Sequence, residues 1–236
     1  MSTDAIRIQR QYYAATAGMY DEMHTNDIEH DLALAFMLAA AEHFKVQSIL
    51  DIGSGTGRML LAIKIKMPHL RVLGIEPSPE LRQLGYEKGL ATTELIDGDA
   101  MNLELPDESF DLVCEYAALH HIPRPGVAVR EMVRVARKLV FISDLNNFGH
   151  GRRISRVVKQ CLNFFGAWPI ADLIKTKGRG FTISEGDGLS YSYSAFNEYK
   201  MLSNACRSVH MMNTTNATPN LYATASHVAL LGIKKH

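Results

Sequence analysis

Three groups of residues in this chain can do chemistry, and each follows a short apolar run. The first is Asp51-Ile52-Gly53-Ser54-Gly55-Thr56-Gly57, which comes after Ser48-Ile49-Leu50 and opens a helical stretch. Glycines at alternate positions let backbone lie against a ligand and tolerate the positive φ of a sharp strand-to-helix turn. A dinucleotide fingerprint would carry its third glycine one residue later, where Arg58 stands. Asp51 would repel a pyrophosphate but can accept a hydrogen bond from an ammonium group. Asp51, Gly53, Ser54, Gly55 and Gly57 therefore suit a ligand with a ribose, a charged amine and no phosphate.

The second group is a pair of acids. Glu76 closes the run 70–76 about 20 residues past the glycines, the distance at which an acid meets ribose hydroxyls. Ser78-Pro79-Glu80 then caps a helix. Asp99 lies near the end of the run 93–100, where a carboxylate can accept from an exocyclic adenine amine. The third group, His120 and His121, follows the run 110–115. Imidazoles with an ordinary pKa near 6.5 suit proton removal around neutrality, although either ring can equally pack or cap the loop before Pro123. Glu115, Tyr116, Asp144, Tyr191 and Tyr193 are further candidates for orienting an acceptor.

These residues need strands that end on one edge. Strands at 70–76, 93–100, 110–115 and 138–144 alternate with helices after Ser78 and at 127–137, which predicts a parallel, doubly wound sheet binding ligands at its carboxyl edge. Asn26-Asp27-Ile28-Glu29 offers a helix start, with Ile28, Leu32, Ala35, Phe36, Ala39 and Ala40 recurring at helical spacing. The stretch 195–206 reads as a helix, and 208–212 with 221–233 as an antiparallel pair.

Between them, 145–193 reads as an insertion above the ligand edge, where loops give a shared scaffold its particular substrate. Within 151–180 seven Lys/Arg face a single acid, Asp172. One reading attracts an anionic substrate. The other is a solvated amphipathic helix with Val157, Val158, Cys161, Leu162 and Phe165 packed inward.

The motifs Asp51-Ile-Gly-Ser-Gly-Thr-Gly57, Glu76, Gly98-Asp99-Ala100, Phe110-Asp-Leu-Val113 and Leu119-His-His-Ile-Pro-Arg-Pro125 come in an order and spacing that resembles the class I S-adenosylmethionine-dependent methyltransferases. More narrowly, the chain is similar to the small-molecule group called methyltransferase domain type 11. The resemblance implies an α/β, doubly wound, mostly parallel seven-stranded sheet of Rossmann-like kind with an antiparallel C-terminal hairpin and a lid inserted after the fifth strand. It also implies S-adenosyl-L-methionine as cofactor and S-adenosyl-L-homocysteine as product. The methionine end would lie over Gly53 to Gly57, the ribose on Glu76 and the adenine beside Asp99 and Ala100. Pro77, Glu115 and Tyr116 complete the expected cofactor set. Tyr13 and Tyr20 belong to a stretch similar to the segment that closes over the cofactor in this family. His120 and His121 are the expected catalytic pair.

A single domain is expected over 1–236: a helical cover at 1–44, a cofactor core at 45–144, the insertion at 145–193 and a closing helix and strand pair at 194–236. The acceptor is expected to be a small-molecule metabolite methylated on oxygen, nitrogen or carbon. The alternatives are a peptide or protein amine gripped by the basic and aromatic insertion, or a non-catalytic cofactor-binding scaffold. A magnesium route through Glu115, Asp144, Asn146 and Asn147 is disfavoured because the related pattern joins Asp to Asn directly and Leu145 separates them here. No zinc motif is present, so no metal is expected.

The 25 basic and 25 acidic side chains give no charge that would draw the chain to nucleic acid. The apolar run 32–41 is far short of the ~20 residues of a membrane span. With no secretory pattern in the opening residues and three widely spaced cysteines, cytoplasm is the expected compartment. No heptad repeat or exposed apolar stripe stands out, which leaves the oligomeric state open.

Overall fold

The computed structural model describes residues 3–19, 28–184, 186–215 and 220–235. Its centre is β1 (Ser48–Ile52), five buried residues in which Ile49 and Leu50 point to opposite faces. A strand covered on both sides must be apolar throughout, and this one is except at Ser48 and Asp51.

Parallel to it run β2 (Arg71–Ile75) and β4 (Phe110–Tyr116), with β3 (Leu95–Ile96) beyond β2 and β5 (Ala136–Leu145) beyond β4. At the far side β9 (His227–Lys234) pairs antiparallel with β5, and β8 (Cys206–Asn213) pairs antiparallel with β9. The order is β3-β2-β1-β4-β5-β9-β8, the expected seven-stranded sheet with its reversed C-terminal pair.

Helices α1 (Thr3–Thr16), α2 (Ile28–His43), α3 (Arg58–Lys66), α4 (Pro79–Glu87) and α5 (Pro125–Val135) accompany the parallel strands. Ala33, Met37, Ile49, Leu60, Leu112 and Phe141 fill one layer; Leu50, Ile52, Val113, Met132, Val140 and Leu202 fill the other. Ser78 caps α4 by accepting from the Leu81 amide, with Pro79 at the first helical position, as its spacing implies. After β5 come α6 (Arg153–Phe164), α7 (Trp168–Lys175), the small hairpin of β6 (Thr182–Ser184) and β7 (Gly188–Ser190), and α8 (Tyr199–Ala205).

Four expectations need correction. The third strand is two residues long, because the Glu94 carboxylate accepts from the Ala91 amide on one side of it and Asp99 from the Met101 amide on the other, closing local turns. The face of α2 is shifted: Ala33, Leu34, Met37 and Ala41 are buried together with the expected Ala40, and Phe36 packs against that cluster, while Ala35 and Ala39 are exposed. An almost uninterrupted apolar run carries no periodicity to choose a face.

The stretch 221–233 is a strand only from His227. Before it, Asn220 accepts from the Ala223 amide, and the Asn146 side chain gathers the carbonyls of Leu221, Tyr222 and Ala225. Finally, the stripe of α6 does not pack inward. Val157, Val158, Cys161 and Phe165 are exposed, so an exposed apolar stripe exists where none was expected. The expected cap Asn26-Asp27 lies outside the described residues.

Candidate functional site

The parallel strands deliver their carboxyl ends to one edge, and two connected spaces open there. The larger, about 420 Å³, runs past Ile75, Glu76, Pro77, Ser78 and Leu81 to the 97–101 turn. The smaller, about 90 Å³, lies over Asp51, Ser54, Thr56 and Arg58. Tyr13, Gly53, Gly55, Tyr116, Ala117 and His121 line both, so they form one continuous wall.

The floor is the glycine loop. Gly53, Gly55 and Gly57 have φ of 70°, 55° and 74°, and a Cβ on Gly53 would come within 2.4 Å of the Ala118 Cβ. Only glycine fits so close a turn. The amides of Gly53 and Ser54 donate to the Ile75 carbonyl, that of Gly57 to Ser54, and that of Gly55 to Glu76. Donors spent inside the protein cannot cradle a pyrophosphate, which supports the reading of the spacing.

The acids at the edge differ in their surroundings. Asp51 is buried, with the Cys114 thiol 3.7 Å from one oxygen, and burial pushes its pKa up to about 7. A carboxyl so poised ionises fully when a cation arrives beside it. Burial also raises Glu76 to about 7, against the pull of the Ser78 and Gly55 amides that donate to it at 2.8 and 2.9 Å. Two of its roughly four acceptor positions stay available to ribose hydroxyls. Asp99 and Ala100 line the far end of the larger space. The Tyr116 hydroxyl is buried without a partner among the described residues, and an orphaned polar atom on a cavity wall suits a polar ligand.

The residues fit an adenosyl sulfonium with a free amine. Asp51 would hold the ammonium, Glu76 the ribose and the 97–101 turn the base.

His120 and His121 separate in role. His120 lies behind the wall: its Nδ1–H donates to Asp144 at 2.7 Å, and its Nε2 is 3.4 Å from Asp187. Burial opposes the charged form, but Asp144 and Asp187 overrule it and lift the pKa to about 10. With each ring nitrogen facing a carboxylate and no place on the lining of either space, His120 has no nitrogen to offer an acceptor. His121 lines both spaces, donates from Nδ1 to the Leu189 carbonyl at 2.7 Å, and turns Nε2 toward Asp187 at 3.4 Å. Asp187 is kept well below its usual range by the two histidines despite partial burial.

Other expected residues fall elsewhere. Glu115 does not reach the wall. Its carboxylate accepts from the Ala118 and Ser143 amides, and burial with the neighbouring Asp144 charge pushes its pKa well up. Asp144 and Asn146 are engaged by main-chain groups and His120. Tyr20 lies outside the described residues.

His120, His121 and Asp187 each bring one ligand atom within 4.8 Å of the others, a donor set that a transition metal accepts. Their ion pairing already accounts for the arrangement. Gln9, His30 and Asp187 also reach the site and were not singled out from sequence. Gln9 does share a helix face with Tyr12 and Tyr13, three and four residues on.

Residues 50–142 match the model of a methyltransferase domain. The chain is 33% identical over 132 residues to the uncharacterized methyltransferase YcgJ of Bacillus subtilis, covering 53% of this chain and 50% of that protein. It is 33% identical over 92 residues to the demethylmenaquinone methyltransferase of Thermotoga maritima, covering 39% and 40%. The alignments thus span half or less of these relatives. The plantazolicin methyltransferase BpumL, crystallised with a triazolic desmethyl analogue and S-adenosylhomocysteine, superposes with a TM-score of 0.55 at 18% identity, covering 98% of this chain and 96% of that one. A sheet of this order, a glycine loop that spends its amides internally and a domain match over that same core make the chain similar to the class I S-adenosylmethionine-dependent methyltransferases.

Proposed function

We propose that the protein moves the methyl group of S-adenosylmethionine to an oxygen, nitrogen or carbon of a small-molecule metabolite. The observation that carries this reading is that the two spaces suited to the cofactor meet at Gly53 and share His121 on their wall, which puts an ionisable side chain where an acceptor would approach the methyl group. The bound cofactor supplies a sulfonium leaving group, so the chain has to align a nucleophile and, where required, remove its proton.

His121 is the residue for that proton. With Nδ1–H committed to Leu189, Nε2 is the nitrogen that accepts, and Asp187 beside it stabilises the imidazolium that results. Ala117, left-handed at φ 53° and held by its amide on the Ser143 carbonyl, turns the chain so that His121 faces the space.

Calorimetry with S-adenosylmethionine and S-adenosylhomocysteine tests the cofactor, and mass spectrometry of molecules retained by the purified protein tests the acceptor. Heat with both ligands and a retained metabolite that gains one methyl group support the proposal. Tight cofactor binding with no turnover of retained metabolites would favour the scaffold reading, and absence of heat with either ligand overturns the assignment of the floor.

A further inference from the structure

Helices on a protein surface normally turn their polar side chains to water and their apolar ones to the core. The pair α6 and α7 does the reverse. On α6 the polar residues grip the body: Gln160 Nε2 donates to the carbonyls of Phe148 and Ala223 at 2.9 Å, Asn163 to the Tyr222 hydroxyl at 2.8 Å, and Lys159 to the His150 carbonyl at 2.8 Å. The opposite face carries Ile154, Val157, Val158 and Phe165 at i, i+3, i+4 and i+11, with Phe164 at its margin. Ile154 is 80% exposed, Phe164 84% and Phe165 79%.

On α7, Asp172 turns inward to accept from Ser192, while Ile170, Leu173 and Ile174 at i, i+3 and i+4 are exposed. The Gly166 turn joins the two helices, and they pack against each other. Their outward faces lie on one segment, 151–180.

We propose that this inverted helix pair docks on the surface of an anionic lipid bilayer. The charge decides the occupant. Seven Lys/Arg lie within 151–180 against one acid, in a chain whose overall formal charge is zero, and that acid is the inward Asp172. Arg152, Arg153, Lys175, Lys177 and Arg179 are exposed around the apolar faces. Apolar side chains entering the acyl boundary with basic ones at headgroup level is how an interfacial amphipathic helix binds.

A second copy of the chain fits less well, since a self-complementary contact would set the same basic rim against itself. Docking is independent of methyl transfer and stands or falls without it. It is also compatible with the finding that no helix among the described residues is long and apolar enough to cross a membrane.

The test is co-sedimentation of the full chain with vesicles of phosphatidylcholine alone or with added phosphatidylglycerol, at low and high salt. Binding is expected to require phosphatidylglycerol and to weaken with salt. Phe164→Asp with Phe165→Asp should abolish it, and each of Arg152→Gln and Arg153→Gln should lower partitioning by about fivefold.

No sedimentation with the anionic vesicles would overturn the proposal. So would vesicle binding that folded variants leave unchanged. A dimer in light scattering that Phe165→Asp converts to monomer would assign the faces to a second copy instead.

Discussion

Around β1 the chain buries Asp51 and Glu76 among apolar strands, whereas along α6 and α7 it leaves Ile154, Phe165 and Ile174 in water and turns Gln160 and Asp172 inward. Both arrangements cost free energy in the isolated protein. A buried carboxyl loses hydration, and an exposed phenyl ring forgoes burial worth about 1.5–3 kcal/mol. In each region the cost identifies what would relieve it: a cation at the sheet edge, and an apolar, negatively charged surface at the insertion.

The largest expected effect sharpens the first half of this contrast. His120→Ala leaves Asp144 buried without its charge partner and should destabilise the fold by about 3–5 kcal/mol in urea melts followed by circular dichroism. The His120 pKa is raised to about 10, so its contribution is complete below the unfolded value of about 6.5 and fades as pH rises through 10. The gap between wild type and variant should shrink accordingly. A gap that stays constant up to that pH would show that the imidazolium is not what stabilises Asp144.

Next in size is the contact assigned to the cofactor amine. Asp51→Ala should weaken S-adenosylhomocysteine binding by about 1.5–3 kcal/mol, the range for a charge-assisted hydrogen bond. Unchanged affinity in a folded variant would remove Asp51 from the site.

A smaller effect follows from pH. Because the free Asp51 carboxyl titrates near 7 and must be ionised beside an ammonium, affinity should fall as pH drops below about 7, by at most tenfold per unit. Asp51→Asn should flatten that dependence. The variant is also expected to melt higher than wild type without ligand, since the raised acid penalises the fold at pH values above its ordinary range.

The smallest effect belongs to the insertion. Phe165→Ser should change stability by less than about 0.5 kcal/mol, because the ring gives up little burial, whereas Ile52→Ala in the core should cost about 2–5 kcal/mol. A large loss from Phe165→Ser would mean that the ring is covered in solution.

Much of the sheet edge is legible in the order of residues alone. Asp51, Glu76 and Asp99 each follow an apolar run, and parallel strands necessarily bring such positions to one side. Glu115 is misplaced by the same reading for an instructive reason. Position after a strand identifies the edge but not the side of the wall, and its acceptor positions go to the Ala118 and Ser143 amides. The inward reading of α6 fails because periodicity locates an apolar face without saying what that face meets. Nothing local to 153–164 reports that Gln160 will find the carbonyl of Ala223.

The sequence by itself determined the order of strands and helices around the parallel sheet, the loop that only glycine can form and the acids that follow it, because spacing, backbone freedom and apolar patterning are properties of neighbouring residues. Tertiary structure alone decided which of two adjacent histidines is buried between carboxylates and which lines the site, and which way two amphipathic helices face. Those outcomes depend on partners far along the chain: Asp144 lies 24 residues from His120, and the carbonyl that anchors Gln160 lies 63 residues away.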